Sequence, residues 1–134
     1  MDLGASLHYV LISLLALLLG HVVLGFLKKL RKKPLPELPY AHLVLHNGQK
    51  RPKSYLACNG LVFDVTESEA YKPEGDYYKL VGKDASVALA RMSMSEEDLD
   101  LRLEDVRLSA KEQKTLKEWE VYFRKKYKVV ARLV

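Results

Sequence analysis

The chain of 134 residues contains one cysteine, Cys58, and no cysteine or histidine pair at the spacing of a zinc site. A single cysteine cannot form an internal disulfide, which is typical of a protein in a reducing compartment such as the cytosol. His42 and His46 lie four residues apart, but the surrounding HLVLHNG is predicted to be extended, so the two rings would not share a helical face. The sequence therefore argues against a disulfide scaffold and against a structural zinc site.

Charged side chains are missing from the segment between Leu7 and Leu27. As a helix this segment would be about 31 Å long, close to the ~30 Å of a bilayer's hydrocarbon core. A cleaved signal peptide would carry basic residues before a shorter apolar run, whereas here Asp2 precedes the run and the basic cluster KKLRKK, Lys28 to Lys33, follows it. The pattern predicts that residues 7–27 form a single-pass membrane anchor.

The basic cluster also predicts an orientation, because positive residues beside a membrane helix stay on the cytosolic side. Residues 1–6 are then lumenal and the C-terminal domain is cytosolic. Outside this cluster and Asp2 the chain has seventeen basic and sixteen acidic residues. A nucleic-acid-binding protein would carry its excess positive charge on the folded domain, so the sequence predicts no nucleic-acid partner.

After the cluster, PLPELP from Pro34 to Pro39 is typical of a stiff, extended spacer, so residues 28–39 are predicted to be a linker. The domain over residues 40–134 opens with SYLAC and LVFDV around Asn59-Gly60, which predicts a β-hairpin. The ending KVVARLV predicts a closing strand. Between them we expect several short helices around a pocket, which makes the domain α+β.

Four helix starts are predicted from capping residues. Thr66 with Glu69 predicts a brief helix that Pro73 and Gly75 interrupt, and Asp84 is expected to cap ASVALARM. Ser95 with Asp98 and Ser109 with Glu112 begin two more. In the last and longest helix one stripe is predicted to belong to the core, and it consists of Leu116, Trp119 and Phe123.

The loop EAYKPEGDYYKLVG places Tyr71, Tyr77 and Tyr78 within a short stretch broken by proline and glycine. Tyrosine suits places where one end of the side chain meets apolar surface and the other end needs a hydrogen-bond partner. The loop is therefore a candidate ligand-binding segment. The chain shows no nucleophile–base pair, carboxylate pair or phosphate-binding glycine loop, so no enzymatic activity is predicted.

The order of NG, VFDVT, Y-x-PEG-x-Y, GKDAS, LxxWExxF and KY resembles the membrane-associated progesterone receptor component family. This family is a branch of the cytochrome b5-like haem/steroid-binding fold. The resemblance covers roughly Leu38 to Val134 and implies that fold, preceded by a single transmembrane helix. Ordinary cytochrome b5 is less similar, because its two axial histidines and HPGG motif have no counterpart after the hairpin.

The resemblance implies haem b as cofactor, with Tyr77 as the axial ligand of the iron and Tyr78 as the alternative ligand if the loop is shifted by one residue. Phenolate is an established axial ligand of ferric haem. Contacts to the haem or its propionates are implied for Tyr71, Lys126 and Tyr127. The chain departs from the usual family residues at four positions, which are Lys72, Asp76, Tyr78 and Ala131.

By resemblance, the function is that of a non-enzymatic, haem-binding protein in the endoplasmic reticulum membrane. It would support haem-thiolate monooxygenases of the P-450 type in sterol and lipid metabolism, through their stability, haem supply or reduction. Stacking of two haem faces would allow a homodimer. Two alternatives stay open: an electron carrier similar to cytochrome b5, and a haem-independent module that binds a steroid or another apolar ligand.

Overall fold

The computed structural model describes residues 3–31 and 33–134. Met1, Asp2 and Lys32, which belong to the predicted lumenal N-terminus and basic cluster, lie outside the described residues. The chain divides into two compact units, Met1–Pro34 and Leu35–Val134.

In the described part of the first unit there is one helix, α1 (Leu3–Leu30). None of its side chains is buried, and it is long and apolar enough to cross a membrane. The helix continues at both ends beyond the predicted span of residues 7–27. Lys28 and Lys29 lie in its last turn, where positive charge interacts favourably with the helix dipole.

The second unit contains a four-stranded sheet in the order β1-β4-β3-β2. Strands β2 (Tyr55–Cys58) and β3 (Leu61–Asp64) form the predicted antiparallel hairpin, and β4 (Lys128–Leu133) is the predicted closing strand. Asn59 and Gly60 both have positive φ, 51° and 78°, as a tight hairpin turn requires. The hairpin and the closing strand are confirmed.

The remaining strand, β1 (Glu37–Leu38), pairs in parallel with β4 through Arg132 and Leu133. The sequence placed these two residues in the linker. The sheet therefore begins before Tyr40, because an extended Pro-rich segment also offers backbone groups to a neighbouring strand.

Four helices connect the strands: α2 (Tyr40–Leu43), α3 (Ser86–Ala90), α4 (Glu96–Asp100) and α5 (Ala110–Lys126). The capping box of Ser109 and Glu112 is confirmed, as is the cap that Ser95 provides to Asp98 N–H. The prediction that Asp84 is the cap of α3 is wrong, because Asp84 stands two residues before its start and Ala85 occupies the cap position. The Asp84 carboxylate instead accepts the Ser86 N–H at 3.1 Å and the Leu103 N–H at 3.0 Å. Asp84 therefore links the start of α3 to the segment at Leu103.

Two further local predictions are wrong. HLVLHNG is not extended, because α2 includes His42 and the ring of His46 donates from Nδ1 to the His42 carbonyl at 2.8 Å. Thr66 does not cap a helix: its hydroxyl bonds the Asp64 carboxylate and accepts the Ser54 N–H at 3.0 Å. A short 3-10 helix, Glu69–Tyr71, follows Ser68 without a side-chain cap.

The core lies on both faces of the sheet, since alternate residues of a strand point to opposite sides. On one face Leu56, Cys58 and Phe63 pack with α3, α5 and the loop of residues 69–82, which we call the tyrosine loop. The Phe63 and Phe123 rings lie 5.3 Å apart between their centroids and join the sheet to α5. On the other face, Ala57 and Val62 pack against Leu43 of α2. The first face supports the candidate site.

Candidate ligand-binding cleft

A cleft of about 730 Å³ opens between the tyrosine loop, the end of α3 and one face of α5. We call it the tyrosine cleft. Leu80, Ala88 and Leu89 are buried and form its apolar floor, whereas Tyr77 and Met92 at its rim are 47% and 74% exposed. Its volume lies within the ~300–1,000 Å³ typical of small-molecule and cofactor sites. The cleft therefore has the size and the apolar surface that a large planar ligand needs.

The tyrosine loop is held in shape by its own backbone. Tyr77 N–H donates to the Ala70 carbonyl at 3.0 Å, and Gly75 N–H donates to the Lys72 carbonyl at 2.7 Å. Gly75 lies so close to Ala70 that any side chain would overlap the Ala70 backbone. A second 3-10 helix, Tyr78–Leu80, then leads back into the core. These contacts place Tyr77 at the rim and leave Tyr71 beneath it.

Tyr71 lies in the wall of the cleft and is only 6% exposed. Its ring is 6.0 Å from that of Tyr77 and 5.9 Å, edge to face, from that of Tyr127. Burial, followed by the neighbouring tyrosines, raises the pKa of Tyr71. The Tyr71 hydroxyl therefore stays protonated at neutral pH and can donate a hydrogen bond to a ligand.

Lys126 supplies a positive charge at the end of α5. Its ammonium donates to the Tyr122 hydroxyl at 3.0 Å and lies 5.5 and 5.6 Å from the ring centroids of Tyr122 and Tyr127. The hydrogen bond to Tyr122 and the nearby tyrosines raise the pKa of Lys126, which keeps it charged. Within the described residues no carboxylate forms an ion pair with it. This charge is available to an anionic group in the cleft.

The structure brings four of the predicted site residues together, since Tyr71, Tyr77, Lys126 and Tyr127 all line the tyrosine cleft. The predicted alternative ligand, Tyr78, does not line it. The Tyr78 hydroxyl donates instead to the Asn47 carbonyl at 3.4 Å.

Several cleft residues were missed by the sequence analysis. Trp119 packs against the core with the buried Leu116 and Phe123, as predicted, but it is only half-buried and also lines the cleft wall. Tyr122, Met92 and Met94 also line the cleft. The helical spacing of Thr115, Trp119, Tyr122 and Lys126 was a signal for one shared face, but helical spacing alone cannot distinguish a cleft face from a core face.

Comparison with known proteins decides the family. The cytochrome b5-like haem/steroid-binding domain matches residues 40–129. The chain belongs to this family. Its fold agrees with that of a solved Arabidopsis thaliana protein described as having a cytochrome b5-like fold. The TM-score is 0.65 at 42% identity, and the match covers 78% of this chain and 95% of that one. The predicted α+β fold class is confirmed.

The relatives of this cytochrome b5-like chain include the probable steroid-binding protein 3 of Arabidopsis thaliana, 45% identical over 73% of this chain and 98% of the relative. The human membrane-associated progesterone receptor component 2 is 38% identical over 66% of this chain, and the chain spans 41% of its length. The cytochrome P-450 regulator of Schizosaccharomyces pombe is 38% identical over 70% of this chain, which spans 60% of its length. The predicted resemblance to the progesterone receptor component branch is confirmed.

The cleft residues suit a haem, the group for which the cytochrome b5-like family is named. Hydroxyl hydrogen bonds form at Tyr78, Tyr122 and Tyr127, but within the described residues none forms at Tyr71 or Tyr77. Two phenolic oxygens without a hydrogen bond in the described residues, an apolar floor and an ammonium without a carboxylate partner match a haem, which has a planar apolar ring, an oxygen-binding metal and carboxylate edges. The donor set thus fits the cofactor.

Proposed function

We propose that this chain is a membrane-anchored, haem-binding protein that supports haem-thiolate monooxygenases of the P-450 type. The observation that carries the proposal is the meeting of Tyr71, Tyr77, Lys126 and Tyr127 in one apolar cleft. These residues come from the loop, the last residue of α5 and the residue that follows it, so only the folded domain assembles them.

Each residue has a distinct role in this proposal. Tyr77 at the rim supplies the phenolic oxygen for the iron, and its position in a loop held by the Ala70 carbonyl fixes that oxygen relative to the cleft. Tyr71, kept protonated by burial, donates a hydrogen bond, and Lys126 meets a propionate as a point charge. Tyr127, held by Ser68 at 3.3 Å between their hydroxyl oxygens, closes the wall. A bound haem b would supply a redox-active iron; the chain binds, orients and shields it.

The partner class rests on a relative, since a protein named as a cytochrome P-450 regulator shares 38% identity with this chain. The proposal is one of regulation and support without catalysis, consistent with the regulator and steroid-binding names of the relatives. With α1 in the endoplasmic reticulum membrane and the domain in the cytosol, the chain and its monooxygenase partners would share one membrane. The exposed rim would also let two cleft mouths meet in a homodimer.

A second candidate function is the binding of a steroid or another apolar ligand without haem. The apolar floor formed by Leu80, Ala88 and Leu89 favours it, as do the relatives named for steroid binding. No comparable observation favours the electron carrier, because none of the residues that line the cleft is a histidine.

An absorption spectrum of the full chain in detergent micelles, titrated with haem, tests the proposal. We expect a saturable Soret band at one haem per chain. Steroid binding without any saturable haem band would favour the second function. The orientation has its own test in sealed microsomes, where added protease should digest the domain, and full protection would reverse the assignment.

A further inference from the structure

We propose that Tyr122 determines the specificity of the tyrosine cleft for carboxylate-bearing ligands. In this proposal Tyr122 positions the Lys126 ammonium and adds its own hydroxyl as a second donor to the ligand's carboxylate. The inference rests on the proposed haem-binding function and extends it to a residue that the sequence analysis did not assign.

The first step of the argument is the free proton on Tyr122. A tyrosine hydroxyl offers one donor and two acceptor lone pairs. Tyr122 uses an acceptor position for the Lys126 ammonium at 3.0 Å, and within the described residues its own O–H has no acceptor. The Tyr127 hydroxyl, in contrast, is shared with Ser68. Tyr122 is therefore the hydroxyl beside Lys126 that is free to donate.

The second step is the rigidity of the pair. The Tyr122 ring lies edge to face with Trp119, at 5.7 Å, and with Phe123, at 5.8 Å. The Lys126 ammonium lies over both the Tyr122 and the Tyr127 rings, within the ~6 Å range of cation–π contacts. A flexible lysine is thereby held at the cleft before a ligand arrives, which lowers the entropic cost of binding.

The third step is the charge balance of the cleft. Its floor is apolar, the charged residues that line it are Lys126 and Glu118, and within the described residues Lys126 forms no ion pair with Glu118 or with any other carboxylate. The Tyr122 and Lys126 side chains are both exposed, and a neutral apolar ligand offers neither the ammonium nor the Tyr122 O–H an acceptor in exchange for water. A carboxylate satisfies both donors at once, so the pair selects acidic ligands over neutral ones.

Protoporphyrin IX and its dimethyl ester test this selection, because both have the same ring and neither contains iron. Binding to the full chain in detergent micelles is followed by quenching of Trp119, the one tryptophan of the chain, which lies in the cleft wall. The carboxylate accepts a charged hydrogen bond and the ester carbonyl only a weaker neutral one, so Tyr122→Phe should weaken binding of the free acid about tenfold and binding of the ester clearly less. In a Lys126→Met background the same substitution should have a smaller effect.

Tyr55→Phe is the matched control, because Tyr55 stacks on His46 outside the cleft, and it should change neither affinity. Equal weakening of acid and ester by Tyr122→Phe, or no change in either, would overturn the proposal. Because the probe lacks iron, the result is independent of axial ligation. The two assignments can therefore fail separately. Full haem binding in Tyr77→Phe would contradict the ligand assignment, whereas only the porphyrin comparison bears on Tyr122.

Discussion

Gly75 lies in direct contact with the backbone of Ala70, and a Cβ atom at Gly75 would overlap the Ala70 carbonyl. The same carbonyl oxygen accepts the Tyr77 N–H at 3.0 Å. One glycine therefore permits the close approach that places Tyr77 at the rim of the tyrosine cleft. The contact is between backbone atoms, so no flexible side chain can move aside to relieve it.

Gly75→Ala should consequently displace the loop. Overpacking in a well-packed region costs about 1–3 kcal/mol, so we expect the free energy of unfolding to fall by an amount in that range. Haem affinity should fall as well, because Tyr77 and Tyr71 move with the loop. Urea unfolding and haem titration measure the two effects. Gly60→Asn is a suitable comparison, since that glycine has open space around it and Asn tolerates positive φ. Full haem affinity in Gly75→Ala would contradict this account of the loop.

Tyr77→Phe should lose most of the bound haem while the fold survives, because the substitution removes one hydroxyl from a side chain that is 47% exposed. Tyr78→Phe is the matched variant in the neighbouring position, and its hydroxyl contacts the Asn47 carbonyl outside the cleft. It should keep its haem. The Soret band of each purified protein gives the answer, and loss of haem in Tyr78→Phe alone would move the axial ligand by one residue.

The parts of this structure that the sequence predicted well are those decided by local chemistry. Asn59-Gly60 adopts positive φ at both positions, and the Ser109–Glu112 capping box bonds residues only three apart. The predicted site residues that meet in the cleft came from a resemblance to a family. Without the resemblance, the sequence marked the loop with Tyr71 and Tyr77 as a candidate ligand-binding segment but did not indicate which ligand it binds.

The parts that it missed depend on contacts between distant segments. Glu37 and Leu38 become a strand only because Arg132 and Leu133 lie beside them. The Thr66 hydroxyl bonds the Ser54 N–H and the Asp64 carboxylate, so it does not cap a helix. The fold of the hairpin brings Ser54 next to Thr66, and the sequence alone does not show that contact. Trp119 has the spacing of a core residue, and only the position of the tyrosine loop turns its surroundings into a cleft.

Glu120 offers a test by pH. It is 6% exposed, and its carboxylate accepts hydrogen bonds from Asn59, at 2.7 Å, and from Lys117 and Arg124. Burial acts to raise the pKa of Glu120, but these three bonds outweigh it and lower the pKa below its ordinary value of 4.5. A carboxyl with a depressed folded-state pKa stabilises the fold above its unfolded pKa and loses that contribution as the pH falls.

Glu120→Gln should therefore lower the free energy of unfolding at pH 7 by about 1–3 kcal/mol, the range for a buried hydrogen bond to a charged group. The difference from the unsubstituted chain should shrink as the pH falls from 4.5 through the lowered pKa. Urea unfolding at several pH values measures it. Glu97→Gln removes the same charge from an exposed position of α4 and should show little effect. A difference that stays constant down to acid pH would rule out this linkage.

Met92 occupies a backbone position that favours glycine. Its φ is 51°, in the left-handed region, and it follows the C-terminal end of α3. Met92 N–H bonds the Leu89 carbonyl at 3.1 Å and Ser93 N–H bonds the Ala88 carbonyl at 2.9 Å, which is the pattern of a Schellman motif. The residue in this position is usually glycine, so a methionine here costs stability, and strain of this kind often marks a functional site.

Met92→Gly should therefore stabilise the domain and weaken the cleft. The left-handed conformation costs a residue with a Cβ roughly 1–2 kcal/mol, and glycine removes this cost. Because glycine also loses more conformational entropy on folding, part of the gain is offset, and we expect the free energy of unfolding to rise by about 0.5–1 kcal/mol. The lost side chain packs against little of the core, since Met92 is 74% exposed at the rim. Haem and porphyrin affinity should fall, because an apolar part of the rim is gone.

Met94→Ala separates the two effects: it also removes a methionine from the cleft, but positive φ does not occur at Met94, so affinity should fall without any gain in stability. Unfolding midpoints and porphyrin titrations on the three proteins decide the matter, and a Met92→Gly chain that is less stable than the original would show that the methionine is held there by packing.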